Sequence, residues 1–353
     1  MMYSNPYKIA ITSPVPATPT QKFLNALPPK YDWIVIDDSN GKLNLLKRGN
    51  IFSYDYLRQK KVLGRFYDRF VDFHHSAACR NLAHYLAYKE GYDVVFSLDY
   101  DCVAPRGFID EHTSVFFRKK QKMISSKSGW VNPLGSKKWF SRGFPYRERR
   151  KESIDVSVTT TNKRVVLNMG LWRNVVDINA IDKVLSKPPK KFKAAYDHIS
   201  VNGFIPLCGM NNAFLREIIP AYFFLPNFKI GDCVVSRHDD IWGGYILQKL
   251  VHKRGDLISF GKPVVFHERE SYRPKALYHE HYIHILEPYF YEIVDAAVEK
   301  VKRNTYLNMF ADFSENFEIE LKRRKGKMPS PYYAAFVYLS DSMNLWKQIF
   351  QKF

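Results

Sequence analysis

Asp99-Tyr100-Asp101 sets two carboxylates two residues apart, directly after the apolar run Val94-Val95-Phe96-Ser97-Leu98. In an extended segment positions i and i+2 point the same way, and in a turn both can close on one ion. Hard carboxylate oxygens suit Mn²⁺ or Mg²⁺, and such an ion bridges phosphate oxygens and neutralises a leaving diphosphate. Asp37-Asp38 ends a second apolar run, Tyr31 to Ile36. A carboxylate there can accept hydrogen bonds from a ribose or a base edge, and a turn acid with no ligand is the competing reading.

Further along, Arg237-His238-Asp239-Asp240-Ile241-Trp242-Gly243-Gly244 places two acids at the start of a helix. One of Asp239 and Asp240 caps that helix, where the dipole favours a carboxylate; the other is left for general-base work or a sugar hydroxyl. His267, after the apolar stretch Pro263 to Phe266, offers a third metal ligand, although a lone histidine equally reads as a packed residue. The run Arg142-Gly143-Phe144-Pro145-Tyr146-Arg147-Glu148-Arg149-Arg150 reads as a mobile arginine loop able to grip a diphosphate, or as a merely solvated one.

The elements that must position these groups alternate. Lys8 to Val15 and Tyr31 to Ile36 read as buried strands, Ser76 to Glu90 as a helix stopped by Gly91, and Tyr92 to Leu98 as a strand. That order predicts an α/β fold with a mostly parallel sheet flanked by helices, with ligands beyond the carboxyl ends of the strands. Residues 118–164 carry weak periodicity and read as a long functional excursion rather than core. Core-like pattern returns at Val165 to Trp172, at Phe204 to Leu215 and in a helix from about Asp240 to His252. Residues 1–294 are expected to form the catalytic domain and 295–353 a helical C-terminal region broken at Pro329-Ser330-Pro331.

Composition narrows the class of function. No apolar run reaches the roughly 18 residues of a membrane span, and the first residues lack the charged and apolar regions of a signal peptide, so a cytoplasmic protein (host cytoplasm if viral) is expected. Cys79, Cys102, Cys208 and Cys233 have no CxxC spacing and read as buried free thiols. The net charge of +19 is clustered: Arg118 to Lys151 holds twelve Lys and Arg against Glu148, and further runs are Lys187 to Lys193 and Lys322 to Lys327. Such clustering favours a polyanionic partner, nucleic acid included. Trp130, Trp139, Phe140, Phe144 and Tyr146 lie among these cations, where they could help expose a base or simply pack in the core.

In order along the chain, the segments resemble the reversibly glycosylated polypeptide family, which includes the UDP-arabinopyranose mutases. The matching blocks are Asp72-Phe73-His74-His75-Ser76-Ala77-Ala78-Cys79-Arg80, Ser97 to Val103, Arg142 to Tyr146 with Arg149, and Gly170-Leu171-Trp172. The longest are Ile205 to Phe214 and Arg237 to Gly244. The resemblance implies a GT-A-like (Rossmann-like) fold, a divalent metal, a nucleotide-sugar donor and frequent oligomers. It places the family's reversibly glycosylated arginine on Arg142 and its partner on Arg149, and brings Arg80 to the phosphates. The family's Asp-Asp-Asp-Cys motif has Tyr100 at its middle position here, which leaves Asp99 and Asp101. Three functions follow as expectations: a metal-dependent glycosyltransferase using a UDP-sugar with a polyanionic acceptor such as hydroxymethylated DNA; a mutase interconverting pyranose and furanose forms of UDP-arabinose; and a non-catalytic sugar-nucleotide or nucleic-acid binding protein, against which the intact acids and arginines count.

Overall fold

The computed structural model describes residues 6–16, 21–26, 29–39, 49–70, 76–150, 155–186, 196–269 and 273–351. The basic run Lys187 to Lys193, the segment Asp72-Phe73-His74-His75, and Asn40, Gly41 and Lys151 lie outside them.

Strands β1 (Ile9–Val15), β2 (Asp32–Asp37) and β4 (Val94–Leu98) are buried along nearly their whole length. Their continuous apolar pattern is that of strands covered on both faces. With β3 (Ile51–Tyr54) they pair in parallel in the order β3-β2-β1-β4. This is a Rossmann-like half-sheet, whose winding reverses between β1 and β4. Beyond β4 the sheet is mixed. β10 (Asn211–Leu215) runs antiparallel between β4 and β8 (Val165–Asn174), and β13 (Leu257–His267) lies parallel to β8. The far side is formed by β9 (Ile199–Val201), β6 (Gln121–Ser126) and β7 (Val156–Thr161). A two-residue strand β5 (Cys102–Val103) pairs antiparallel with the end of β13, setting Cys102 opposite His267. The α/β sheet flanked by helices, with a helical C-terminal region, is thus as expected, its parallel character concentrated in the first four strands.

Residues 118–164 depart from the expected excursion, because they add β6 and β7 to the sheet and several aromatics to the core. Trp130, Phe140 and Phe144 are buried, and Trp130 stacks on Tyr245. Weak periodicity concealed this, since β6 and β7 sit at the sheet edge, where β7 is mostly exposed and little alternation is required. These three aromatics therefore pack rather than face a ligand.

The C-terminal helices close one side of the molecule. The helix Arg273–Glu299 runs uninterrupted through residue 294, and the helices Tyr306–Arg323 and Ser330–Phe350 follow. Their apolar faces join the same hydrophobic cluster as the sheet. Trp346 stacks on Phe223 and donates its indole N–H to the Pro220 carbonyl, which fixes the segment against which the helix Asp239–Arg254 rests. The close approach of this helix to Phe223 on one side and Leu207 on the other explains Gly243 and Gly244. A Cβ on Gly243 would meet the Phe223 carbonyl oxygen at 2.2 Å, and one on Gly244 the Leu207 Cβ at 2.5 Å. Gly243→Ala is expected to cost about 1–3 kcal/mol through overpacking against backbone, visible as a lower Tm. Among the described residues no helix is long and apolar enough to cross a membrane.

Candidate active site

The ends of β1, β2 and β4 open into two adjoining cavities that share Ser76, Ala77, Arg80 and Asp99. The larger, about 540 Å³ including its mouth, is lined by Arg80, Asp99, Arg142, Arg237, Asp239 and Asp240. The smaller reaches Pro14, Pro16, Asp38 and Tyr100. This crevice lies at the reversal of strand order, where open α/β sheets hold ligands, and its size suits a small molecule.

The turn after β4 sorts the acidic motif. Asp99 faces Arg80, while Asp101 turns toward His267, with Nε2 to Oδ2 at 3.8 Å. Burial pushes the Asp99 carboxyl up to about 6, and the Asp101 charge adds to this while Arg80 and His267 oppose it. His267 Nδ1 lies 3.0 Å from the Val175 carbonyl, so Nδ1 carries a proton and Nε2 is the nitrogen turned to Asp101. Burial alone would lower the imidazole pKa, but the Asp101 carboxylate and the Val175 carbonyl outweigh it and raise it. Asp101, Cys102 and His267 bring their donor atoms within 4.8 Å of one another. Cys102 is fully buried, and its thiol is pushed far up by burial and by the two aspartates. An oriented imidazole beside the Asp101 carboxylate fits a divalent ion such as Mn²⁺ or Mg²⁺, whereas Asp99, paired with Arg80, is not among the three groups brought together. Tyr100 points instead to Arg269, whose guanidinium donates to its hydroxyl.

Arg80 opens the helix Arg80–Lys89, positioned by Ser76, whose hydroxyl accepts the Ala78 N–H at 3.2 Å. Its side chain is buried. One nitrogen meets Asp99, while Nε and the other terminal nitrogen have no hydrogen-bond partner among the described residues. Buried donors of this kind are costly unless a ligand accepts them, and a phosphate oxygen is the natural acceptor.

The two acids before Ile241 differ in what they touch. The helix begins at Asp239 with His238 at its N-cap, so neither acid is the capping residue. Asp240 is bound by Arg142 through Nη1 at 2.9 Å and Nη2 at 2.6 Å, and accepts the Gly209 N–H at 3.0 Å. Asp239 faces the cavity. Burial and the neighbouring Asp240 charge push its carboxyl up to about 7, against the pull of Arg142 and Arg80. A carboxyl poised near neutrality in a cavity can take and return a proton.

Arg142 is not on an open loop. It is buried and all five of its N–H donors are engaged, by Asp240 twice, by Asp177 at 2.7 Å, by the Arg237 carbonyl at 2.7 Å and by the Cys208 sulfur at 3.7 Å. Burial opposes the charge, but Asp177 and Asp240 hold it firmly protonated. Arg149 lies outside the cavity: it grips Asp182 bidentately at 2.9 and 2.7 Å and stacks over Tyr146. The expected mobile arginine loop is instead a packed segment tied down by buried ion pairs. Asp37 and Asp38 also separate. Asp37 accepts from the backbone and hydroxyl of Ser39, whereas Asp38 lines the smaller cavity and accepts from the Tyr56 hydroxyl at 3.1 Å.

Two site residues had no role assigned from the sequence. Asp177 is buried under Arg142, Lys183 and Arg237; burial favours its neutral form, yet those cations hold its carboxyl far below the usual range. An isolated acid between Val176 and Ile178 carries no sequence signal. Arg237 lines the cavity with a φ of 72°, a left-handed backbone that costs a non-glycine residue about 1–2 kcal/mol. Its strained peptide turns the carbonyl to Arg142 while its side chain reaches Glu280 at 2.9 Å.

The family model described as reversibly glycosylated polypeptide matches residues 18–353. UDP-arabinopyranose mutase 1 of Arabidopsis thaliana is 26% identical over 205 residues, 55% of this chain and 52% of that protein. UDP-arabinopyranose mutase 1 of Oryza sativa subsp. japonica is 25% identical over 285 residues, 76% and 70% of the two chains. The chain spans about half the length of most of these curated relatives. Among solved structures, glucosyl-3-phosphoglycerate synthase from Mycobacterium tuberculosis, in complex with Mn²⁺ and UDP-glucose, aligns with a TM-score of 0.40 at 13% identity, over 80% of this chain and 79% of that one. The mannosyltransferase PcManGT from Pyrobaculum calidifontis, in complex with GDP-Man and Mn²⁺, aligns with a TM-score of 0.36 at 10% identity, over 98% and 88%.

Proposed function

This chain belongs to the reversibly glycosylated polypeptide family, and from that premise we propose that it is a metal-dependent glycosyltransferase using a UDP-sugar. The observation that carries the reading is Asp239, a cavity carboxyl pushed up to about 7, on a site that also holds Arg80 and Asp99. Transfer to a hydroxyl needs a base of this kind. The acceptor O–H proton passes to the Asp239 carboxylate as the acceptor oxygen bonds to the anomeric carbon. The bond from that carbon to the diphosphate breaks, and its electron pair leaves with UDP beside the unsatisfied N–H groups of Arg80. Asp38 is the nucleoside contact that the smaller cavity favours, since Asp37 is already bound to Ser39.

Asp99, Asp101 and His267 would hold Mn²⁺ or Mg²⁺, which when bound neutralises the diphosphate. His267→Ala and Asp101→Asn are each expected to weaken Mn²⁺ binding by roughly tenfold or more, read from the free-Mn²⁺ electron paramagnetic resonance signal in a titration without substrate. Unchanged Mn²⁺ affinity in both variants would remove these ligands.

The second reading, a mutase interconverting the ring forms of UDP-arabinose, is favoured by the names of the curated relatives. The net charge of +19 favours a polyanionic acceptor such as hydroxymethylated DNA, because a small dianionic substrate gains little from a broadly basic surface. Purified protein with UDP-arabinose and Mn²⁺, with and without hydroxymethylated DNA, separates the two. UDP release that depends on acceptor supports the transferase, and ring interconversion without acceptor supports the mutase.

A further inference from the structure

We propose that a groove formed by Arg118, Lys120, Lys122, His198 and Lys262 binds the phosphate backbone of a single-stranded nucleic acid. The groove encloses about 890 Å³ including its mouth and sets four cations against the carboxylates of Glu111 and Asp197. Of those cations, Lys262 pairs with Asp197 at 3.0 Å, and Arg118 donates to the Ser114 hydroxyl at 3.4 Å. His198 is half-buried here, and its Nδ1 has no hydrogen-bond partner among the described residues.

The other described basic run does not present its charge in this way. Lys322 is paired with Glu318, and Arg323 and Arg324 with Glu320, all at the C-terminal end of one helix. In the groove, by contrast, Lys120 and Lys122 stand beside Arg118 and are in place to meet an external polyanion. An aromatic surface adjoins them. Phe117, immediately before Arg118, is 54% exposed and stacked on Tyr7 at 5.0 Å, which leaves ring surface for an unpaired base. Cations beside an exposed ring fit a single strand better than a sulfated glycan or a lipid surface. Lys262 stands five residues before His267 on β13, at most about 17 Å away at ~3.3 Å per residue, so a strand held here lies close to the catalytic cavity.

The inference deepens the transferase reading by placing its acceptor, but it is tested without sugar nucleotide, so either can fail alone. A fluorescein-labelled single-stranded oligonucleotide is titrated with the full chain at several salt concentrations, followed by fluorescence polarisation. The Arg118→Ala/Lys120→Ala/Lys122→Ala variant is expected to bind at least tenfold more weakly, with the slope of log K against log salt reduced by about 2. Phe117→Ala should weaken binding at constant slope. The melting temperature of each variant without ligand should stay close to that of the parent protein, showing an intact fold. Equal affinity of the triple variant overturns the proposal. So does an equal loss from Lys325→Ala/Lys327→Ala, or competition by heparin coupled with no effect of Phe117→Ala.

Discussion

Asp239→Asn is expected to lower kcat by about 10²- to 10⁴-fold while leaving donor binding nearly unchanged, the range for loss of a positioned general base. The amide keeps the size and shape of the side chain and one of its acceptor oxygens. What it removes is the capacity to hold a proton. The same residue sets the pH dependence. A base acts in its ionised form, and burial together with the Asp240 charge pushes this carboxyl up to about 7. Activity should therefore rise from pH 6 to 8 along a limb with an apparent pKa near 7, and the Asn variant should lose that limb. A pH–rate profile under saturating donor checks both parts. Wild-type activity flat between pH 6 and 8, with kcat of the variant intact, would show that Asp239 takes no proton. The expectation is sharper for Asp239 than for Asp240, whose oxygens are already taken by Arg142 and by the Gly209 N–H.

That division between neighbouring acids marks the limit of what residue types and spacing reveal. The strands, the helix after Ser76 and the acids at their ends are legible because apolar periodicity and turn chemistry are local properties. Asp99, Asp101 and His267 are legible as separate candidates, but the antiparallel β5–β13 pairing that sets Cys102 opposite His267 is a contact across more than 160 residues. Partner choice is likewise non-local. Arg142 sits in a run of cations and reads as a solvated loop, yet it draws its partners from Asp177, Cys208, Arg237 and Asp240. Asp177 shows the case of no signal at all, a lone acid among apolar neighbours whose importance comes entirely from the cations around it.

Arg142→Met should destabilise the protein by about 3–5 kcal/mol, because it strands two buried carboxylates rather than removing a favourable contact alone. Methionine fills much of the same volume, so the loss is electrostatic more than steric. Asp240 would keep only the Gly209 N–H, and Asp177 would keep Lys183 at 3.9 Å and Arg237 at 3.5 Å. The pH dependence identifies the cause. In the parent protein burial favours neutral Asp177, but Arg142, Lys183 and Arg237 hold its carboxyl well below the usual range. A depressed carboxyl contributes stability that is present above its unfolded pKa and lost as pH falls through the folded one. Without Arg142 the burial cost dominates and that contribution shrinks, so the gap between variant and parent should be widest near pH 7 and close only below the ordinary carboxylate range, toward pH 2. Urea unfolding at both pH values measures it, and a gap independent of pH would assign the loss to packing. The same network bears on the arginine chemistry that the family resemblance attaches to this position. A guanidinium with all five donors engaged and its proton held by two carboxylates is a poor nucleophile, because attack on a sugar requires a free nitrogen lone pair. In this geometry Arg142 acts by fixing Asp240, and through it the first turn of the helix that carries Asp239 into the cavity. Arg142→Lys, which keeps the charge but cannot span both carboxylates in a planar fork, should therefore recover part of the stability while kcat stays depressed.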